Sequence, residues 1–172
     1  KIFMKIKSAR DRLMQAIGIA ERISGKHATL PILGCILIVV ENKKVIVKAT
    51  NLELGVEIEL AATVEEDGIV AIPGATLLSS IQNTDINDTV SLETKDGNLL
   101  VTTRKSKTII KAQPHDDFPN IPHPVDTKTY TINTQQFVDG FKAVQFAASQ
   151  STIRPELSSV YVYTKEGKTH FV

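Results

Sequence analysis

The chain has 172 residues, of which 42% are hydrophobic and 23% are charged, and its formal net charge is +1. This length suits one complete domain and part of a second, and the balanced charge excludes a uniformly basic nucleic-acid-binding protein, so any cationic surface must be local. The single cysteine, Cys35, excludes an intrachain disulfide, and no apolar run approaches the roughly 20 residues of a membrane helix. We therefore expect a cytoplasmic protein, not bound to a membrane, with a buried and reduced thiol.

The first part of the chain predicts two helices among many short strands. Ser8 can cap a helix over residues 9–23, and Pro73 with Gly74 opens a second helix over residues 75–83. Strands are predicted over residues 1–7, 32–40, 44–50, 54–64, 69–72, 89–94, 98–103 and 107–112. Two helices interrupting strands of antiparallel character predict an α+β domain.

The chain repeats itself at an offset of 124 residues. Apolar positions of the first helix, and of the segment after it, recur without a gap. The matching pairs are Leu13 with Phe137, Ile17 with Phe141, Ala20 with Val144, Pro31 with Pro155, Leu33 with Leu157 and Ile36 with Val160. An offset this long is no solenoid repeat, and it predicts two copies of a whole domain.

Prolines mark the boundary between the two copies. Four of them fall between residues 114 and 124, a composition typical of a linker. We place the first domain at residues 1–121, the linker at 122–128 and the second domain at 129–172.

The second copy is shorter than the first. Thr134 would cap a helix over residues 135–149. Strands are predicted over residues 129–132, 159–164 and 168–172. Because no counterpart of the second helix is present, we expect an incomplete domain and a fragment of a longer protein.

One face of the first helix carries cations and no acid. The apolar face would hold Leu13, Ala16, Ile17, Ala20 and Ser24, and the opposite face would hold Arg12, Gln15, Ile19, Arg22 and Lys26. A solvated outer face and a loose contact with duplex phosphates both explain this stripe. Single-stranded nucleic acid is a poorer match, because only 5% of the residues are aromatic and able to stack on bases.

Several short segments, in order along the whole chain, resemble one known family. They are Asp11–Leu13, Thr29–Gly34, Ala49–Glu53, Ile72–Pro73, Arg104–Lys107, Asp117–Asn120 and Thr152–Leu157. Together they resemble the bacterial DNA polymerase III β subunit, the sliding clamp. The resemblance implies a DNA-clamp fold, a duplicated domain with two helices on one face of antiparallel sheets, here with the second copy truncated. It also implies three similar domains per subunit and a homodimer closed head to tail into a ring.

The function implied by this resemblance needs neither an active site nor a cofactor. A sliding clamp encircles double-stranded DNA without reading its sequence and serves DNA replication as a processivity factor. Its protein partners are DNA polymerase III and the clamp loader. The chain would therefore be an accessory subunit of a nucleotidyltransferase complex.

The resemblance also assigns residues to three surfaces. It adds His27, Gln150 and Arg154 to the helix residues Arg12, Arg22 and Lys26 as DNA-binding positions. It assigns Thr76, Ser80, Thr108 and Ile110 to the dimer interface, with Ile110 packing behind paired edge strands. Leu157 would form one wall of the groove that receives polymerase and clamp-loader motifs.

Two other classes of function stay open. One is a protein-interaction scaffold with no DNA role, which a monomer with evenly mixed surface charge would favour. The other is a small hydrolase, which a cluster of His27 with acids in a deep pocket would favour. The four histidines lack metal-ligand spacing, and Ser79 and Ser80 lie in no nucleophile-elbow motif, so both observations disfavour an enzyme.

Overall fold

The computed structural model describes residues 3–24, 30–123, 129–149 and 154–172, except for the side chain of Pro155. The chain divides into two compact units, Lys1–His123 and Pro124–Val172.

The described residues of the first unit form two antiparallel sheets and two α-helices. In chain order its elements are β1 (Lys5–Ala9), α1 (Arg10–Ile23), β2 (Cys35–Glu41), β3 (Lys44–Thr50), β4 (Gly55–Leu60), β5 (Thr63–Glu66), β6 (Gly68–Pro73), α2 (Gly74–Gln82), β7 (Thr89–Lys95), β8 (Asn98–Thr102) and β9 (Lys107–Ile110). Sheet A has the strand order β5-β1-β7-β8-β9, and sheet B has the order β4-β3-β2-β6. The predicted α+β class is confirmed.

One apolar core joins both sheets to both helices. Its most deeply buried side chains, none more than 1% exposed, include Met4, Ile6, Leu13, Ile17, Ile36, Ile38, Ile72, Leu77, Ile81, Leu92 and Leu99. Burying one side chain of this size contributes about 1.5–3 kcal/mol. The shared core therefore fixes which side of each helix faces the sheets.

The start of α1 differs from the prediction. Ala9 occupies the cap position without a side-chain hydrogen bond, so Ser8 is not the cap. Ser8 belongs to β1 and points into the core, where its hydroxyl donates to the Ala61 carbonyl oxygen at 3.0 Å. The Ser8 hydroxyl therefore bonds an acceptor distant in sequence, and not the start of the helix as the local sequence predicted.

The predicted strand over residues 54–64 is two strands in two sheets. β4 pairs with β3 in sheet B, whereas β5 pairs with β1 in sheet A. The chain changes sheets at residues 61 and 62, where the alternating pattern of the sequence gives no sign of a break. The predicted strand over residues 32–40 is also shortened, because Pro31–Gly34 forms a 3-10 turn before β2.

The second unit has a helix and a hairpin. Its elements are α3 (Thr134–Val144), 3-10 turns at Gln145–Ala147 and Pro155–Leu157, β10 (Val162–Lys165) and β11 (Lys168–Phe171). The cap of α3 is Asn133, not Thr134, because the Asn133 side chain accepts hydrogen bonds from the Gln135 and Gln136 amides at 3.0 and 3.2 Å. The strand predicted over residues 129–132 is wrong, since these residues have no regular secondary structure.

Element boundaries reproduce the 124-residue offset. α1 begins at Arg10 and α3 at Thr134, and 3-10 turns begin at Pro31 and Pro155. The tight turns after β2 and β10 also match. Asn42 and Lys43 have φ of 52° and 62°, and Glu166 and Gly167 have φ of 54° and 73°. The two units are therefore built on the same local plan over the part that both contain.

A glycine in α3 compensates for a larger side chain in β11. Gly140 and Phe171 stand where the first unit has Ala16 and Val47. A Cβ atom on Gly140 would lie 2.6 Å from the Phe171 ring, so the aromatic side chain fits only because α3 has no side chain there. Phe171 also meets the Phe137 ring edge-on at a centroid distance of 5.5 Å.

We predict that the same substitution has opposite effects in the two helices. Gly18→Ala in α1 meets nothing within 4 Å and should stabilise the first unit by about 0.5–1 kcal/mol through helix propensity. Gly140→Ala should destabilise the second unit by about 1–3 kcal/mol, because the new methyl group collides with Phe171. Amide hydrogen exchange of α1 and α3 measures both effects, and stronger protection of α3 in Gly140→Ala would contradict the packing argument.

Candidate nucleic-acid interface

The exposed face of α1 is the candidate interface. Helical spacing of about 3.6 residues per turn brings Arg12, Gln15, Ile19 and Arg22 to one side, and all four are exposed. We call these four residues the helix stripe. Opposite them, Leu13, Ala16, Ile17 and Ala20 lie in the core and are at most 4% exposed. The predicted orientation of α1 is confirmed.

The arginines of the stripe differ from the arginine at the helix start. Arg10 is held by Asp11, 3.1 Å from its Nη1, and by the Gln82 carbonyl oxygen, which accepts from its Nη2 at 2.9 Å. Within the described ranges, neither Arg12 nor Arg22 takes part in an ion pair. Arg10 therefore serves the fold, while the two stripe cations keep their charge available to an outside anion.

A shallow groove of about 280 Å³ runs beside the stripe. Arg12, Gln15 and Ile19 line one side, and residues 58–61 at the end of β4 line the other. The exposed carboxylate of Glu59 lies on the β4 side. An acidic side chain thus borders the cations of the stripe, which suits a weak contact rather than a tight one.

The remaining DNA-binding predictions are only partly described. Lys26, His27 and Gln150 lie outside the described residues. Arg154 is exposed, and its carbonyl oxygen accepts from the Leu157 amide at 3.0 Å at the start of a 3-10 turn. Leu157 is itself 55% exposed, which leaves its side chain available to a ligand.

The outer face of α3 is a weaker counterpart of the helix stripe. It carries the exposed Lys142, but Asp139 lies on the same helix and accepts from Gln135 Nε2 at 2.8 Å. Phe146, just beyond the helix, is 84% exposed. The charges on this surface are mixed, so it offers less attraction for phosphate than α1 does.

β9 forms one edge of sheet A and belongs to the predicted dimer interface. Lys105, in the turn before β9, donates to Asp85 at 2.9 Å. This hydrogen bond and the opposite charges lower the pKa of the Asp85 carboxyl and raise the pKa of Lys105. Thr108 is half-buried on β9. The edge is thus fixed at its start, and no strand among the described residues pairs with the outer side of β9, so that side can accept another strand.

The interface predictions separate into supporting and exposed residues. Ile110 is 3% exposed, so its side chain belongs to the core behind the edge strand and cannot touch a partner. On α2, Thr76 is exposed, while the Ser80 hydroxyl donates to the Leu77 carbonyl oxygen at 2.7 Å. The apolar side chain that the edge presents is Ile109, which is 67% exposed. Sequence analysis missed Ile109, although strict alternation along β9 would have placed it opposite Ile110.

The described residues contain no group of three or more His, Cys, Asp or Glu side chains positioned to hold a metal ion. No helix in these ranges has the length and apolar character needed to span a bilayer. The His27 cluster that would favour a hydrolase lies outside the described residues.

Comparison with known proteins assigns the family. Residues 4–122, most of the chain, match the family model of the DNA polymerase III beta subunit, N-terminal domain. The chain belongs to this family. The match begins at the first strand of sheet A and runs past the last one, so it covers the whole of both sheets.

Named relatives and solved structures agree with the family. The beta sliding clamp of Micrococcus luteus is 30% identical over 159 residues, which cover 92% of this chain and 51% of that relative. The beta sliding clamp of Caulobacter vibrioides is 25% identical, with coverage of 94% and 44%. A solved structure described as Caulobacter crescentus pol III beta superposes with a TM-score of 0.88 at 25% identity, covering 98% of this chain and 46% of that one. The chain spans about half the length of the curated relatives it matches.

We predict that Ile109→Lys lowers the tendency of the chain to self-associate. An exposed isoleucine on an open edge strand favours strand pairing between molecules, and a lysine there opposes it. Sedimentation velocity over a concentration series should show a several-fold weaker association. The matched control is Ile86→Lys, which changes an isoleucine that is 61% exposed but lies outside the strands. An equal effect of both variants would contradict a role for the β9 edge.

Proposed function

We propose that this chain is the front portion of a DNA sliding clamp, a ring that encircles duplex DNA and tethers a replicative polymerase to it. The observation that carries the proposal is the family match of residues 4–122, supported by relatives that are named beta sliding clamps. The arginines of the helix stripe, exposed and without an ion pair to any described residue, agree with it. The function requires no catalytic residue and no cofactor.

The proposed mechanism is topological. A closed ring cannot leave DNA sideways, so its affinity for the duplex can be low. Low affinity is useful, because a ring that gripped the phosphates would not slide. A few cations on a smooth helix surface, with an acidic neighbour such as Glu59, match this requirement.

Arg12 and Arg22 carry the DNA contact in this proposal, with Lys26, His27, Gln150 and Arg154 as further contacts. Each arginine would meet phosphate oxygens of the backbone and would not read bases. Neutralising phosphates releases condensed counterions, so the weak binding should depend on salt.

Ring closure and partner binding use other surfaces. The β9 edge would pair with a strand of a second subunit, with Ile110 behind it, Ile109 on its outer face and Thr108 beside it. Thr76 and Ser80 on α2 would lie along the same contact. Leu157 would form part of the groove for DNA polymerase III and the clamp loader. A cytoplasmic location follows from this role in replication.

The first test of this proposal is retention on circular DNA. The chain of 172 residues should not be retained stably on a nicked circle, because it spans only about half of its relatives. The same protein extended to the full length of the relatives, and loaded on that circle, should be retained and then lost when the circle is cut. Equal retention of the extended protein on circular and linear DNA would contradict the topological mechanism.

The second test concerns the helix stripe. Arg22→Ala should weaken the residual binding of duplex DNA and reduce the slope of log affinity against log salt by about 0.9, the value for one lost phosphate contact. Lys95→Ala, which removes an exposed cation at the end of β7, is the matched control and should leave the slope unchanged. An unchanged slope in Arg22→Ala would contradict the proposal that α1 contacts DNA.

A further inference from the structure

A proline-rich segment crosses the outer face of sheet B, on the side away from the helices. At the β6 edge, the Gln113 amide donates to the Ala71 carbonyl oxygen at 2.9 Å. Further along, Phe118 packs on a cluster of apolar side chains from the sheet. We call residues Gln113–His123 the strap.

The strap reaches the opposite edge of the sheet at β4. A Cβ atom on Gly55, at the start of β4, would lie 2.7 Å from Cγ2 of Ile121, so the isoleucine occupies the space that this glycine leaves. At the end of the strap, His123 Nε2 lies 3.6 Å from Glu57 Oε1. The strap therefore spans the sheet from β6 to β4.

The surface beneath the strap is a second apolar cluster, distinct from the main core. Its buried members are Ile32, Leu33, Cys35, Leu37 and Ala71, and Val39, Ile69 and Phe118 are partly buried against them. Sheet B is thus apolar on both faces, and each face needs a cover. The helices cover one face, and the strap covers part of the other.

The attachment of the strap depends on side chains more than on backbone bonds. Three of its residues, Pro114, Pro119 and Pro122, have no amide hydrogen to donate. After the Gln113 contact, the Phe118 amide donates locally, to the His115 carbonyl oxygen at 3.0 Å, and not to the sheet. Segments attached in this way open locally at a smaller free-energy cost than strands of a core.

We propose that the strap opens and closes as a unit independent of the main core, with Phe118 as its latch. In the closed state Ile121 is a second anchor, and the chain leaves the first unit at a fixed point beside β4. Phe118 is a positioning residue, because it acts through the path it imposes on the chain. The proposal does not depend on the DNA role, so the two can fail separately.

The only cysteine of the chain reports on the state of the strap. Cys35 belongs to the cluster under Phe118 and is 2% exposed. Burial also raises the pKa of its thiol. Because the thiolate is the reactive form, a thiol reagent should modify Cys35 slowly while the strap is closed. The sulfur lies 3.8 Å from the Pro31 carbonyl oxygen, in the 3-10 turn that shares this cluster, so we expect lifting of the strap to loosen the cover over Cys35 without disturbing the main core.

The test measures the rate at which a maleimide modifies Cys35 in the folded chain of 172 residues. Phe118→Ala should raise this rate by about tenfold or more, because local opening no longer has to undo an aromatic contact. Phe118→Leu should restore most of the protection. Val101→Ala is the control for general destabilisation, since Val101 is 1% exposed and belongs to the main core, not to the cluster under the strap.

The outcomes separate a latch from ordinary packing. The two variants are compared at urea concentrations that give them the same free energy of unfolding. Faster labelling of Cys35 in Phe118→Ala than in Val101→Ala supports the proposal that the strap opens separately. Equal labelling rates in the two variants at matched stability would overturn it. So would a labelling rate in Phe118→Ala that equals the rate of the unsubstituted chain. Should Phe118→Ala fail to fold, Gly55→Ala decides the question by displacing Ile121: faster labelling supports the proposal, and an unchanged rate overturns it.

Discussion

The burial of one side of α1 is the constraint on which the first unit and its candidate interface depend. Leu13, Ile17 and Ala20 are fully buried in the main core, so the helix cannot rotate without exposing them. This packing places Arg12 and Arg22 outside with no contribution from the arginines themselves. A surface positioned by the core is rigid before a ligand arrives, and its cations remain unpaired within the described residues. Such a surface suits a contact that must be frequent and weak.

Hydrophobic spacing predicted much of the fold because it reports burial directly. The offset of 124 residues, found in apolar positions, recurs in the starts of α1 and α3 and in the positive φ angles of both hairpin turns. The same kind of pattern failed over residues 54–64. Alternation shows which side chains are buried but not which strand pairs with which, so the change of sheet at residues 61 and 62 left no trace. Ser8 failed for a related reason, since its acceptor, the Ala61 carbonyl oxygen, is distant in sequence.

The candidate site was predictable where one helix determines exposure and less so elsewhere. Spacing identified the helix stripe, but it could not separate Arg10, which contacts Asp11 and Gln82, from Arg12 and Arg22, which form no ion pair with the described residues. At the β9 edge, the resemblance selected Ile110, whereas the exposed side chain is Ile109. Composition indicated a linker after residue 114, but only the structure shows that Phe118 and Ile121 pack against sheet B.

The repeated units also show how a shared plan tolerates different side chains. Gly140 and Phe171 fill together the space that Ala16 and Val47 fill in the first unit, so volume is exchanged across the helix–strand contact. The external faces diverge more freely, because no packing partner restrains them. This explains why α3 keeps the boundaries of α1 while its outer face carries mixed charge instead of a cationic stripe.

We propose that the outer face of α1 meets the backbone of duplex DNA. Amide chemical shifts of the 172-residue chain, followed during titration with a short duplex at low salt, test it most directly. The shift changes should centre on Arg12, Gln15, Ile19 and Arg22, should not depend on the DNA sequence, and should disappear when salt is added. Changes centred on the outer faces of sheets A and B with α1 unaffected, or changes that survive high salt, would contradict it.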